Sequence, residues 1–370
     1  MTGSTIDNRH DLIEYLHRAM VLEHATIPPY LTAYYSIHPT TNSDAAHIIR
    51  VVAVEEMLHL TLAANVLNAI GGKPRLTRHG FVPSYPTYLP DGERDFTVDL
   101  RPFSHRAVET FCKIERPAMA PRGSARLLPV SDLARPSLVT SPVDEGLRFY
   151  SIGEFYAEII EGLETVAAKE PDLFRGDPAR QVGPEHFYSG GGSAIRVTDL
   201  ASARRALRFI ADQGEGFDHG IHDEDGELAH YYRFRQLQLG RYYQVDDDPE
   251  HPTGPELGID WKAVYDVKVS ARLSDYPVDS ELAAVARDFN ADYWEFLGLL
   301  DDAFNGEPSL LQEAIWHMFR LRDGINRLVR NPLPGSDGLH AAPTFEMPVG
   351  VESTPDVSLT AGGAVEAVTR

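Results

Sequence analysis

Apolar residues recur at helical spacing through the first part of the chain. One apolar stripe covers residues 11–37 and has Glu23 in its middle. Consecutive prolines at 28–29 lie inside this segment and are expected to kink or interrupt the helix. A second helix is predicted at residues 43–70, where a pair of glycines is typical of a helix end. The two segments therefore predict an antiparallel helical hairpin.

The same periodicity returns in later segments, which are separated by stretches rich in proline and glycine. Further helices are predicted at residues 105–114, 144–169, 200–211, 225–239, 281–304 and 308–328. The segments at 144–169 and 225–239 are expected to complete a four-helix bundle with the hairpin. The chain is therefore predicted to be mainly α-helical.

The spacing of these segments predicts how the chain is organised. The predicted parts are a bundle at residues 8–245, insertions in it at 73–145 and 172–198, accessory C-terminal helices packed on the bundle at 260–345, and a tail at 346–370. The bundle is the part that carries candidate chemistry.

Two Glu-x-x-His pairs stand out, Glu56 with His59 and Glu227 with His230. This spacing places a carboxylate and an imidazole one helical turn apart on one face. Two such pairs, with one further Glu from each of two other helices, form the ligand set of ferritin-like di-iron or di-manganese proteins. A single pair also arises by chance, so the pairs alone are weak support.

The hairpin geometry strengthens the metal hypothesis. Glu23 lies about 17 residues before the turn, and Glu56 and His59 lie about 16 and 19 residues after it, so all three are expected at nearly the same height. A buried unpaired Glu is costly, and a metal removes that cost. A buried hydrogen-bonded network is the alternative. Glu55 borders the same face and is interpreted as an outer acceptor or a surface charge.

The remaining carboxylate should come from the helix at 144–169, where the pattern offers several candidates. They are Glu154, Glu158, Glu161 and Glu164. Glu158 lies closer to the apolar arc than Glu154 does, but periodicity alone does not choose between these two. The other two are interpreted as solvated.

Charge and composition exclude several classes of protein. With 43% hydrophobic and 24% charged residues, the chain has the composition of a folded globular protein. Its net charge of −21 argues against binding to nucleic acid or to anionic membranes. The single Cys112 excludes an intrachain disulfide. The N-terminus lacks the apolar region of a signal peptide, and a cytoplasmic location is expected.

Several motifs together resemble a known family. They are LEHATIPPYL at 22–31, EEMLHL at 55–60, RPFS at 101–104, IERP at 114–117, IGEFY at 152–156, QGEG at 213–216 and HYYRF at 230–234. The chain resembles the bacterial ferritin-like family that includes the ferritin-like domain of the violacein-pathway iminophenyl-pyruvate dimer synthase. The resemblance covers most of residues 8–345. That synthase is much longer, so its substrate does not carry over with the resemblance.

The resemblance implies a ferritin-like bundle and a carboxylate-bridged metal site. It assigns the open position to Glu154 within IGEFY, with Glu158 as runner-up. Gly153 either lets a neighbouring group approach closely or eases helix packing, and packing is the preferred interpretation. Glu215 is interpreted as a turn residue or as part of the site lining. The predicted metal ligands are Glu23, Glu56, His59, Glu154, Glu227 and His230, with Glu56 and Glu227 as bridges.

The predicted function is a di-iron oxidoreductase that uses dioxygen to oxidise a small organic metabolite of specialised metabolism. Two iron ions are the expected cofactor, with manganese as the alternative. Iron handling without an organic substrate, or imine coupling like the dimer synthase, are the competing functions. Self-association into a homo-oligomer is left open. Five aromatic residues are candidates to line a substrate channel, although core packing is the simpler interpretation for each: Tyr30, Tyr34, Tyr35, Tyr156 and Tyr231.

Overall fold

The computed structural model describes residues 5–91, 94–117, 149, 151–187, 191–216 and 220–347. These residues form α-helices and isolated β-bridges but no β-strand, which confirms the prediction of a mainly α-helical fold. The helices are α1 (Arg9–Ser36), α2 (Ser43–Ala69), α3 (His105–Ile114), α4 (Ile152–Lys169), α5 (Leu200–Glu215), α6 (His230–Leu239), α7 (Glu281–Phe304) and α8 (Leu310–Val329).

The predicted hairpin is present, and α1 packs along the length of α2. Helix α1 begins after Asn8, whose side chain accepts a hydrogen bond from the backbone of Asp11. The expected interruption at Pro28 and Pro29 is wrong, because α1 continues through both prolines. Pro29 cannot donate to the carbonyl of Ala25, and the buried hydroxyl of Tyr85 donates to that carbonyl instead at 2.8 Å.

The four-helix bundle consists of α1, α2, α4 and α5. Helix α4 packs on α1 and α5, and α5 packs on α2. The prediction that residues 225–239 supply the fourth bundle helix is therefore wrong. Helix α6 lies outside this set of four, where it packs on α3 and contacts α2 and α5.

A tight turn explains why α6 starts later than predicted. Asp223 Oδ1 accepts hydrogen bonds from the backbone of Asp225 and Glu227, at 3.1 and 2.8 Å. Gly226 at the tip has a φ of +82°, a conformation that favours glycine. Asp and Gly are typical turn residues, and this signal outweighs the apolar periodicity just after it.

The insertions are tied to the bundle by side-chain hydrogen bonds. Asn65 on α2 donates to the carbonyls of Val182 and Ile195, at 2.8 and 2.9 Å. Helix α3 lies in the first insertion, and the side chain of Ser104 caps its N-terminus. The prediction for the rest of that insertion, at 118–145, and for most of the tail lies outside the described residues.

Helices α7 and α8 pack against each other and rest on α2 and α1. Their apolar residues join the same hydrophobic core as the bundle, with Leu297 and Leu328 fully buried. Each fully buried leucine stabilises the fold by roughly 1.5–3 kcal/mol. The division into separate parts stays a prediction. No helix in the described ranges is long and apolar enough to cross a membrane.

Candidate metal centre

A cluster of buried acidic and imidazole side chains lies where α2 meets the ends of α3 and α6. Each member is at most 2% exposed, although such groups are almost never fully buried unless they are paired. Its members are Glu23 on α1, Glu55, Glu56 and His59 on α2, Glu115 directly after α3, and His230 at the start of α6.

Glu56 stands between the two imidazole rings. Its Oε2 lies 3.5 Å from His59 Nδ1, and its Oε1 lies 2.9 Å from His230 Nδ1. The two rings stack with their centroids 5.3 Å apart. Glu56, His59 and His230 each offer one ligand atom, and these atoms lie within 4.8 Å of one another, which is a spacing that could hold a metal ion.

Each histidine also faces one terminal carboxylate. Glu23 Oε2 lies 3.4 Å from His59 Nδ1, and Glu115 Oε2 lies 3.6 Å from His230 Nδ1. The other oxygen of each terminal carboxylate is held by a phenol. Tyr156 donates to Glu23 Oε1 at 2.5 Å, and Tyr30 donates to Glu115 Oε1. The two sides of Glu56 are therefore built alike.

The outer nitrogen of each ring has its own acceptor. His59 Nε2 lies 2.8 Å from Gln213 Oε1, and His230 Nε2 lies 2.9 Å from Glu55 Oε2. Both acceptors favour the tautomer in which Nε2 carries the proton. The Nδ1 lone pair then faces the carboxylates, which is the arrangement of a metal-binding imidazole.

The pKa values of the cluster indicate that its groups hold protons when no metal ion is bound. Burial and the charge of Glu56 raise the pKa of Glu23 to about 8. Burial lowers the pKa of His59, but the carboxylates of Glu56 and Glu23 outweigh it and raise this pKa to about 10. Burial and Glu56 likewise raise the pKa of Glu115. Without a metal the site therefore retains protons, and a bound metal would displace them.

One atom of the cluster tests whether these residues fit a metal. His230 Nδ1 is buried and makes no well-directed hydrogen bond, although Glu56 Oε1 is only 2.9 Å away. A buried polar atom without a hydrogen bond is uncommon and costs about 1–3 kcal/mol. Oxygen ligands and imidazole nitrogens suit iron, manganese or zinc. The donor set therefore fits a metal better than a core hydrogen-bond network.

The structure brings together four of the six residues predicted as ligands. Glu23, Glu56, His59 and His230 meet in the cluster. Glu227 does not, because it precedes the first turn of α6 and 69% of its side chain is exposed. It lies 3.4 Å from Arg233, as one half of an ion pair. The assumption that Glu227 and His230 share one helical face is therefore wrong.

The structure does not bring Glu154 to the cluster either. Tyr156 is the residue of α4 that contacts the cluster, through its hydrogen bond to Glu23. A helix turns about 100° per residue, so Glu154, two positions earlier, projects from nearly the opposite face of α4. Glu154 lies half-buried in the first turn of α4, where Ser151 caps its backbone. The runner-up Glu158 is on the same side and accepts from the backbone and hydroxyl of Thr5 at 2.7 and 2.8 Å.

Three residues of the site were not assigned to it from the sequence. Glu115 belongs to the IERP motif, which contributes to the family resemblance but does not by itself predict a role for this residue. Gln213 belongs to the QGEG motif. For Glu55 the sequence allows an outer acceptor or a surface charge, and its hydrogen bond to His230 supports the outer acceptor. The motifs were therefore a usable signal for the first two residues.

The structure bears on two further sequence interpretations. Gly153 accommodates Glu215, whose Oε1 accepts from the Gly153 backbone at 2.5 Å, and an added Cβ would lie only 2.4 Å from its Oε2. Close approach, rather than helix packing, therefore explains this glycine. Tyr30 and Tyr156 are fully buried and donate to carboxylates of the cluster, which agrees with the simpler interpretation of them as core residues.

The sequence model of the ferritin-like family matches residues 16–239, which include all six members of the cluster. The chain belongs to the ferritin-like family. The resemblance drawn from the motifs is thereby confirmed. The buried cluster and the four helices of the bundle lie within the matched residues, except for the start of α1.

Two curated proteins are similar to this ferritin-like chain. Dichlorochromopyrrolate synthase of Lentzea aerocolonigenes is 28% identical over 94% of the chain, and the match spans 37% of that enzyme. Bacterioferritin of Desulfovibrio desulfuricans is 28% identical over 82 residues, which are 22% of the chain and 46% of that protein. The chain thus spans well under two thirds of either relative, although its similarity to an enzyme extends over nearly its whole length.

A solved structure shares the fold. A ferritin-like protein from Caulobacter vibrioides superimposes with a TM-score of 0.57 and covers 90% of the chain and 97% of its own. Its sequence is 22% identical, so it supports the fold alone. Because the superposition reaches beyond the bundle, the additional helices belong to a shared architecture.

Proposed function

We propose that this chain is a non-haem di-iron oxidoreductase that uses dioxygen to oxidise a small organic metabolite. The observation that supports it is Glu56, whose two oxygens face two different histidines, each backed by its own terminal carboxylate. The proposed ligands are Glu23, Glu56, His59, Glu115 and His230. Manganese is the alternative metal, since the same ligand types bind it.

The protein's residues would prepare the site for this chemistry. When bound, a pair of iron ions supplies the electrons that reduce dioxygen. Tyr156 and Tyr30 hold one oxygen of each terminal carboxylate and so orient the other oxygen inward. The complete burial of the cluster keeps bulk water away, which strengthens every electrostatic interaction inside it.

The similarity to dichlorochromopyrrolate synthase supports an enzymatic role over iron storage. That similarity covers 94% of the chain, whereas the similarity to bacterioferritin covers 22%. An imine-coupling synthase, the alternative that the motif resemblance implies, is therefore the second candidate, because the relative that matches most of the chain is named a synthase. Because the chain spans 37% of the relative, the substrate stays a proposal.

Metal loading and oxygen consumption test this function. Metal-free protein is loaded anaerobically with Fe(II), desalted, and its iron is measured together with its size in solution. We expect about two iron ions per chain and oxygen uptake that increases with a metabolite extract. Hundreds of iron atoms per chain in a large shell would contradict the enzyme and support storage. Fewer than about one ion would contradict the di-iron site.

A further inference from the structure

The two sides of the cluster differ in the chemistry of the acceptor behind each histidine. His59 Nε2 faces the neutral amide oxygen of Gln213 at 2.8 Å. His230 Nε2 faces the carboxylate of Glu55 at 2.9 Å. The terminal carboxylates, the phenols and the shared Glu56 are matched between the sides. The outer acceptors are therefore the feature that distinguishes them.

Both outer acceptors are held in place by the second insertion. The carbonyl of Gly191 accepts from Gln213 Nε2 at 2.8 Å, which fixes the amide so that its oxygen points to His59. A Cβ at the same glycine would lie 2.5 Å from Glu55 Oε1, so the loop packs directly on this carboxylate. Gly191 has a φ of +105°, which favours glycine. The same glycine therefore contacts both outer acceptors.

Glu55 has a cationic neighbour that must be counted. Arg233 Nη2 lies 3.5 Å from Glu55 Oε1, whereas His230 uses the other oxygen. Arg233 is shared with the exposed Glu227 at 3.4 Å. The arginine therefore orients the carboxylate, and its charge is divided between two acids. Glu55 remains the more negative of the two outer acceptors.

A carboxylate behind an imidazole makes it a stronger metal ligand than an amide does. It fixes the ring, raises the basicity of the ligating nitrogen and adds a negative charge near the cation. Changes of such outer partners alter metal affinity by roughly 10- to 100-fold. An amide offers the orientation but not the charge.

We infer that the two metal positions are inequivalent. The side formed by His230 and Glu115 binds the first divalent ion and holds it more tightly, because Glu55 backs His230. The side formed by His59 and Glu23 fills second. This inference rests on the proposed function, since it presupposes that the cluster binds two ions. In it, Glu55 and Gln213 are positioning residues and not ligands.

A charge exchange between the two outer acceptors tests the inference. Mn(II) is titrated anaerobically into metal-free protein, and free Mn(II) is followed by its EPR signal. For the natural sequence we expect two binding steps whose Kd values differ by roughly 10- to 100-fold. Glu55→Gln, which keeps a hydrogen-bond acceptor and removes the charge, should weaken the tight step and bring the two together.

The reverse substitution keeps the test independent of any loss of folding in Glu55→Gln. Gln213→Glu should tighten the weak step, and the double variant Glu55→Gln/Gln213→Glu should restore two separate steps. His230→Ala should remove the tight step, and in the double variant it should remove the weak one. Glu161→Gln, an exposed carboxylate on α4, is the matched control and should leave both steps unchanged.

The outcomes separate the inference from the proposed function. Two ions that bind the natural sequence with equal affinity, or two steps that neither exchange variant moves, would overturn the inference and leave the di-metal site in place. Loss of the weak step, rather than the tight one, in His230→Ala would also overturn it. No Mn(II) binding to the natural sequence would overturn the proposed function itself, and the inference with it.

Discussion

The metal centre has two halves with unlike mechanical support. The hairpin half, Glu23, Glu56 and His59, projects from α1 and α2, which are 28 and 27 residues long. The end half, Glu115 and His230, is placed where two helices of 10 residues each end and begin. Similar chemistry is thus supplied by the interior of a long hairpin on one side and by helix ends on the other.

This difference shows that bundle helices alone do not complete the site. Helix α5 occupies the place of the fourth bundle helix but contributes only Gln213, as an outer acceptor. The first insertion provides Glu115, and α6 provides His230. The end half therefore depends on the packing of α3 against α6, and the hairpin half does not.

The largest effect is expected where the halves meet. Glu56→Gln removes the charge that both histidines face, so we expect loss of both ions while the helical circular-dichroism signal is kept. Metal content after anaerobic loading measures it, with Glu161→Gln as the exposed control. Retention of two ions would show that Glu56 is not the shared ligand.

A second test compares Glu115 of the end half with Glu154, the carboxylate that the sequence predicts as a ligand. Glu115→Gln should lose about one ion per chain, because Glu115 faces His230 at 3.6 Å. Glu154→Gln should lose none, because α4 turns Tyr156 and not Glu154 toward the cluster. The same loading experiment compares the two. The opposite result would return the third carboxylate to α4.

The pH dependence of stability probes the hairpin half without metal. The pKa of Glu23 is raised to about 8 in the folded chain, above its value of 4.5 when unfolded. Its stabilising contribution is therefore complete below about pH 4.5 and is lost as the pH rises through about 8. We expect the Tm of metal-free protein to fall over this window, and Glu23→Gln to reduce the slope. An equal slope in the variant would contradict the assignment.

The phenols give a smaller, directional comparison. Tyr30→Phe removes the hydrogen bond to Glu115, and Tyr156→Phe removes the one to Glu23. A hydrogen bond to a charged group contributes about 1.5–3 kcal/mol. Because Glu115 caps a short helix, we expect Tyr30→Phe to weaken Mn(II) binding more than Tyr156→Phe does. Equal losses would mean that the end half is as firmly supported as the hairpin half.

The smallest effect is expected at Glu227. Its side chain is 69% exposed, and its carboxylate forms an ion pair with Arg233 at 3.4 Å. Exposed pairs of this kind contribute at most about 1 kcal/mol. Glu227→Gln should bind the natural number of ions and unfold within about 0.5 kcal/mol of the natural chain in urea. Loss of an ion would restore Glu227 as a ligand.

The hairpin half could be predicted because its geometry is local. Helical periodicity placed Glu23, Glu56 and His59, and the turn between the helices set them at one height. His230 lies in the cluster as predicted, although Glu227, its predicted partner, does not share its helix. Glu115 could not be placed from spacing, because its position depends on tertiary packing of α3 on α6.

The rest of the fold shows the same limit. The apolar pattern predicts the helices, but it does not show which four form the bundle, because α5 and α6 both bury several residues. The turn at 221–229 is formed by Asp223 and Gly226, residue types that favour turns. This local preference outweighs the helical periodicity, so α6 begins only at His230. The prediction of Glu154 comes from a family motif, and a motif does not specify which face of α4 contacts the site.

The hydroxyl of Tyr85 on the carbonyl of Ala25 has a consequence for how this protein could have arisen. The proline that leaves the carbonyl free is in the bundle, whereas the hydroxyl that completes it is in the insertion. Trimming the insertion to recover a minimal bundle would remove the hydroxyl that donates to this carbonyl, two residues from Glu23. An ancestor with Pro29 but without the first insertion would have lacked the hydrogen bond to the Ala25 carbonyl. The proline and the insertion are therefore expected to be inherited together.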